Sequence, residues 1–112
     1  MDKLSQKRCV PCEGGVQPLK GKELHDYQLQ LEREAPGWSV IDDVRLHKKF
    51  KFINFKGALE FVNRVGKIAE EENHHPDINF GWGYAEITLS THAIGGLSEN
   101  DFVLAAKISH AG

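Results

Sequence analysis

The sequence predicts an α+β fold: a two-layer sandwich of order α-β-β-α-β-β-α, with a four-stranded antiparallel sheet and helices on one face. Three observations predict it. Val44 to Ile53 largely alternates apolar and polar residues, the period-two mark of a strand with one wet face. Phe55 to Ala69 repeats apolar residues at spacings of three and four, the mark of a helix with one dry face. Gly83 stands alone between two short β-forming runs, close enough for a hairpin. Strands joined by tight turns run antiparallel, and helices segregated to one side supply the second layer.

The elements follow in order. Residues 1–21 lack periodicity and carry Pro11, Gly14, Gly15, Pro18 and Gly21, so they read as an irregular arm before a single domain over residues 22–112. From Lys22 the pattern is helical, with Leu24, Tyr27, Gln28 and Leu31 on one stripe. Pro36-Gly37 ends it, because proline cannot continue the hydrogen-bond ladder and glycine accepts the exit conformation. Trp38 to Ile41 is a short apolar strand and Asp42-Asp43 a polar break. In the next strand Val44, Leu46, Phe50 and Phe52 face one way, and Arg45, His47, Lys49 and Lys51 the other; Lys48 interrupts the apolar side. The basic residues read as a solvated strand face that also deters edge-to-edge pairing, not as a nucleic-acid contact.

Asn54 is placed to cap a second, longer helix. Phe55, Ala58, Leu59, Val62, Val65 and Ala69 are predicted to line its buried face, widened by Phe61 and Ile68. Gly66 in mid-helix costs about 1 kcal/mol relative to alanine, which predicts close packing against a neighbour. The helix should stop near Asn73, because His75 precedes Pro76 and is pushed out of helical geometry. Ile78 to Trp82 and Tyr84 to Thr91 form the last two strands, with Ala85, Ile87 and Leu89 alternating against Glu86, Thr88 and Ser90. Gly95-Gly96 makes a turn, and a final helix runs from Ser98 to about Ser109.

Bulk properties bound the function. A chain of 112 residues is one domain. Hydrophobic residues make up 40% and charged residues 27%, an ordinary globular balance. A net charge of −2 gives no reason to expect nucleic acid. No apolar run exceeds five residues, whereas a membrane span needs about 20. The start of the chain lacks the hydrophobic stretch of a secretory signal, so a cytoplasmic location is expected. Cys9 and Cys12 form one C-x-x-C pair, which in an intracellular protein reads as two thiols rather than a disulfide framework. A lone pair lacks the second half of a zinc site, and no metal is expected.

The histidines are the candidate chemistry. His25, His47 and His110 read as solvent-exposed. His74-His75-Pro76 closes the second helix and His92 closes the fourth strand. Histidine at a helix C-terminus is also what the helix dipole favours. Yet imidazole titrates near pH 6.5, so it donates and accepts protons at neutral pH, and clustered imidazoles can serve as both acid and base. Asp101 stands third after Ser98, where it completes a capping box. It is also expected to accept a hydrogen bond from His92 and fix its tautomer. Trp82 reads as either a core or interface aromatic or a wall of the site.

These residues carry a resemblance. An acidic residue, Glu70, stands four before His74; Pro76 follows His75; Trp82 lies six beyond Pro76, His92 ten beyond Trp82, and Asp101 nine beyond His92. That set resembles the signature of the pterin-4a-carbinolamine dehydratase family, in a bacterial-type form. Ile87 to His92, Gly96 to Glu99, and Phe50-Lys51-Phe52 leading to Phe55 and Phe61 are similar too. The resemblance spans roughly Trp38 to Ile108 and leaves the arm outside it. It implies a hydro-lyase that removes water from 4a-hydroxytetrahydrobiopterin to give quinonoid dihydropterin. The pterin would be the substrate, and no cofactor would be needed. His74 and His92 would be the acid/base pair, His75 would hold substrate and assist protonation, and Asp101 would support them. Glu70, Asn73, Pro76, Trp82, Ser90, Thr91 and Ala93 would fall at or beside the substrate. Asn73 and Ala93 depart from the family pattern, where aspartate and a larger polar residue are common. The resemblance also implies a homodimer or homotetramer and coupling to an aromatic amino-acid hydroxylase. The alternative is a non-enzymatic interaction or dimerisation module of the same fold.

Overall fold

A computed structural model describes residues 3–9 and 17–111. Among these the elements run α1 (Gly21–Glu34), β1 (Ser39–Ile41), β2 (Arg45–Lys51), α2 (Phe55–Glu72), β3 (Asp77–Gly81), β4 (Tyr84–Leu89) and α3 (Glu99–Ala111). Short 3-10 turns occupy Leu4–Gln6 and His92–Ile94. The predicted α+β order is the one observed, and the four strands form one antiparallel sheet in the order β1-β2-β4-β3.

Register explains the two faces. Leu46 pairs with Leu89 and Phe50 with Ala85 across β2 and β4, while Ile78 pairs with Ile87 and Phe80 with Ala85 across β3 and β4. These residues point at the helices, and the intervening His47, Lys49, Glu86 and Thr88 point away, as a period of two requires. Lys48 lies on the apolar side as the sequence indicated. Its ammonium lies over the Phe50 ring, 4.8 Å from the centroid, and donates to the Pro36 carbonyl at 2.7 Å. Partial burial lowers its pKa, because desolvation disfavours the charged form of an amine. Asp42 and Asp43 turn the first hairpin, both in the left-handed region (φ 51° and 61°), which aspartate tolerates better than most residues. The second hairpin closes on Trp82-Gly83, with Gly83 at φ 82°.

Several expectations shift. The strand bounds are tighter: Val44 belongs to the turn, Ile53 lies past β2, Trp38 precedes β1, and Trp82 is in the hairpin turn. The buried stripe of α2 is Ala58, Phe61, Val65 and Ala69, rotated toward Phe61 from the predicted face. Phe61 packs against Phe50 and Phe52 at ring distances of 4.6 and 5.1 Å, and this aromatic contact sets the helix's rotation. Phe55 and Leu59 are left exposed. Gly66 meets no heavy atom where a Cβ would stand, so the predicted close packing is absent and its helical cost goes uncompensated.

The last helix is buried nearly all round, from Asn100 to Ala106 and at Ile108, as expected for a helix without a polar face. It packs against α1, α2 and the Leu4–Gln6 turn. Leu4 is fully buried in the main core, so the arm is not merely irregular: its start is part of the packed body.

Candidate active site

The site forms where α2 ends. Asn73 sits in the left-handed conformation (φ 52°, ψ 39°), with its N–H directed at the Ala69 and Glu70 carbonyls. The His74 N–H donates to the Ala69 carbonyl at 3.2 Å, completing a Schellman-type end. Asparagine is among the few residues that adopt this conformation readily. Pro76 then holds the chain extended into β3. This tight reversal displays His74 and His75 at the helix terminus.

A cleft of about 580 Å³ opens there, within the size range of small-molecule sites. Glu71, Glu72, Asn73, His74 and His75 line it from the end of α2. Ser90, Thr91, His92 and Ala93 line it from the segment after β4, and Cys9 of the arm and Asn100 of α3 complete it. The lining is largely polar, suited to a ligand rich in hydrogen-bonding atoms.

Behind the cleft lies a buried network. Asp101 is fully buried. Its Oδ1 accepts from His74 Nε2 at 2.6 Å, and its Oδ2 accepts from Thr91 Oγ1 at 2.7 Å and from the Ser98 N–H at 3.0 Å. The Ser98 contact is the capping-box half read from the sequence. The imidazole contact corrects it: Asp101 bonds His74, not His92. His92 begins a 3-10 turn past the end of β4 and is exposed, because Thr91 bridges to Gly96 and the chain turns away at that point. A carboxylate accepting from Nε2 keeps that nitrogen protonated and leaves Nδ1 as the ring's remaining basic atom.

The other sequence-selected residues lie as follows. Glu70 sits outside the cleft lining but its carboxylate bonds His75 Nε2. Pro76 and Trp82 do not line the cleft; Trp82 is exposed on the hairpin. His25 and His110 are exposed, and His47 is partly buried with its ring 3.7 Å from Glu86. Four lining residues were not selected from the sequence: Cys9, Glu71, Glu72 and Asn100. Three consecutive glutamates at a helix C-terminus oppose the helix dipole, and that signal was available. Cys9 reaches the cleft only through long-range packing, which no local pattern announces. Among the described residues no three His, Cys, Asp or Glu side chains are grouped to hold a metal ion, and Cys12 lies outside the described residues. No helix among them is long and apolar enough to cross a membrane.

The site can be set beside known proteins. The family model described as Pterin 4 alpha carbinolamine dehydratase matches residues 17–111. A protein of Rubrobacter xylanophilus, named by inference a pterin-4-alpha-carbinolamine dehydratase, is 60% identical over 108 residues, covering 96% of this chain and 97% of its own. A Rickettsia canadensis protein named in the same way is 50% identical over 108 residues, covering 96% of each. A crystal structure from Brucella melitensis, titled a transcriptional coactivator/pterin dehydratase, superposes with a TM-score of 0.75 at 27% identity, over 85% of this chain and 98% of that one. A pterin dehydratase-like protein, identified as a RuBisCO assembly factor in the alpha-carboxysome, superposes with a TM-score of 0.58 at 27% identity, over 67% of this chain and 88% of that one. With the family model matched across most of the chain and near-full-length relatives at 50% and 60% identity, the chain belongs to the pterin 4 alpha carbinolamine dehydratase family.

Proposed function

We propose that this chain dehydrates a 4a-hydroxytetrahydropterin to quinonoid dihydropterin and water, using histidines as acid and base. The observation that carries the reading is the His74–Asp101 couple, set at the back of a cleft that His75 and His92 also line. His74, held by Asp101 through Nε2, is the base and takes up the departing proton. His92, exposed and so easily reprotonated from solvent, is the acid that protonates the leaving hydroxyl as the C4a–oxygen bond breaks. His75, held by Glu70, positions the pterin and assists that protonation. Asn73, Ser90, Thr91 and Ala93 form the polar walls around the ring. The reaction is an elimination, so its atoms balance with the pterin as substrate and nothing further consumed.

Each proton transfer contributes roughly 10²–10⁴-fold, and rigid placement of the pterin supplies the remainder. The test is a coupled assay: the chain is added to an aromatic amino-acid hydroxylase reaction, which leaves its pterin hydroxylated, and decay of the 4a-hydroxypterin absorbance is followed. The parent is expected to accelerate the decay and a His74→Ala/His92→Ala double variant to lose that acceleration. A double variant as active as the parent would overturn the assignment.

An interaction role has its own observation. Ile53 (90% exposed), Phe55 and Leu59 just before and within the first turns of α2, and Trp82 (72% exposed) on the hairpin after β3, leave apolar side chains uncovered, and β3 is an edge strand of the sheet. Such edges and patches favour self-association, and we place a homodimer or homotetramer contact here. Light scattering that returns a monomer at micromolar concentration would remove it. A chain that associates yet leaves the hydroxypterin untouched would favour the interaction module over the enzyme.

A further inference from the structure

The arm, which the chemistry above does not use, is tied to the domain at Leu4, Ser5, Lys7 and Cys9. The Leu4 N–H donates to both oxygens of Glu34, at 2.8 and 3.0 Å. The Ser5 carbonyl accepts from Lys107 Nζ at 3.0 Å, and Lys7 Nζ donates to Glu99 at 3.1 Å. The Cys9 N–H donates to Glu72 Oε1 at 2.8 Å, and its thiol to the Asn100 carbonyl at 3.6 Å. The second oxygen of Glu72 stands 3.9 Å from Lys107 Nζ. Glu72 and Lys107 therefore bridge the arm to α2 and α3 beside the cleft. A carboxylate at the C-terminal end of a helix opposes the dipole, and these two partners offset that repulsion at Glu72.

We propose that the start of the arm, through Cys9, is a wall of the substrate cleft, and that Glu72, clasped with Lys107, is a positioning residue that seats Cys9 against the bound pterin. The substrate in this inference rests on the dehydratase reading; the clasp does not. Burial, then the Glu72 charge, pushes the Cys9 thiol up to about 12. The wall therefore presents a neutral S–H and not a nucleophile, and its contribution falls on binding rather than on proton transfer. The family model's match begins at residue 17, so this wall lies outside the segment which that model matches.

The test uses the full chain carrying Cys12→Ser, so that one thiol reports. Labelling of Cys9 by a disulfide reagent such as DTNB is expected to be slow in this parent and slower still with tetrahydrobiopterin present. In Glu72→Ala it should be about tenfold faster or more, the value of a lost hydrogen bond to a charged group. Glu72→Gln keeps an acceptor for the Cys9 N–H but removes the charge that raises the thiol's pKa, so its labelling should fall between the parent and Glu72→Ala. In turnover, Glu72→Ala should raise KM about tenfold with kcat within about twofold, and Glu72→Gln should restore KM; a purely structural role would lower Tm and leave KM in place. Should Glu72→Ala fail to fold, Lys107→Gln opens the clasp from its other side and is read the same way. Unchanged labelling in the opened variant overturns the clasp, and faster labelling with unchanged KM overturns the wall. If the parent turns over no hydroxypterin, the dehydratase reading fails on its own, and protection of Cys9 by tetrahydrobiopterin then decides the wall.

Discussion

The two ends of α2 are built on opposite terms. At its start, Asn54 accepts a hydrogen bond from the Gly57 N–H at 2.9 Å, as helix N-termini ordinarily require. At its finish, Glu70, Glu71 and Glu72 gather where the dipole prefers cations, and Asn73 takes a conformation that most residues avoid. Two of those glutamates have found specific partners: Glu70 bonds His75, and Glu72 bonds the Cys9 N–H and faces Lys107. The first end serves the helix. The second subordinates the helix to the cleft, which is where local preference is expected to give way in a functional protein.

That contrast can be broken or sharpened by substitution. The largest effect is expected at Asp101, whose carboxylate joins the cleft to α3. Asp101→Asn keeps the shape but no longer offers two acceptor oxygens to three donors. A stability loss of about 1–3 kcal/mol is expected in urea unfolding. Turnover should fall about 10²-fold with an altered pH profile, since His74 loses the partner that fixes its tautomer. Unchanged turnover and profile would detach Asp101 from the chemistry. At the opposite end, Asn54→Ala should cost about 1 kcal/mol of stability and leave KM and kcat unchanged. A fall in activity there would show that the two ends are not independent. Between them, Gly66→Ala should raise stability by about 1 kcal/mol, because the added methyl meets nothing; a loss would reveal a neighbour that covers this face in solution. The smallest effect is expected for Glu71→Gln, which removes an exposed carboxylate opposing the dipole. Stability should rise by about 0.3–1 kcal/mol, and a rise in KM would mean that this carboxylate touches substrate.

Much of the fold was legible because its signals are local. Asn54 as a cap, Pro36-Gly37 as a stop and Gly83 in a hairpin each follow from the conformation that one residue accepts. The rotation of α2 was not legible, because the apolar run from Phe55 to Ala69 fits two adjacent faces. The choice fell to Phe61, whose partners Phe50 and Phe52 come from a different element. Gly66 misled for a related reason: a glycine's cost is visible in sequence, but its compensation is not. In the site, His74, His75 and His92 stand out as ionisable residues beside a helix stop and a strand end. Which imidazole meets Asp101 depended on the 3-10 turn at His92–Ile94. Proximity in sequence favoured His92, and the closure of Thr91 against Gly96 carried His92 away from the carboxylate. Cys9 and Glu72 lie 63 positions apart in the chain, so their pairing belongs wholly to tertiary structure.

The two tryptophans stand in opposite surroundings. Trp38 is enclosed, with its indole N–H donating to Ser109 Oγ at 2.8 Å, whereas Trp82 stands in solvent on the β3–β4 turn. The molecule thus carries two native fluorophores of distinct colour. Iodide should extinguish the red-shifted emission of Trp82 and spare the blue emission of Trp38. Shielding of the red component with rising protein concentration would register one copy covering the hairpin of another, without any added dye.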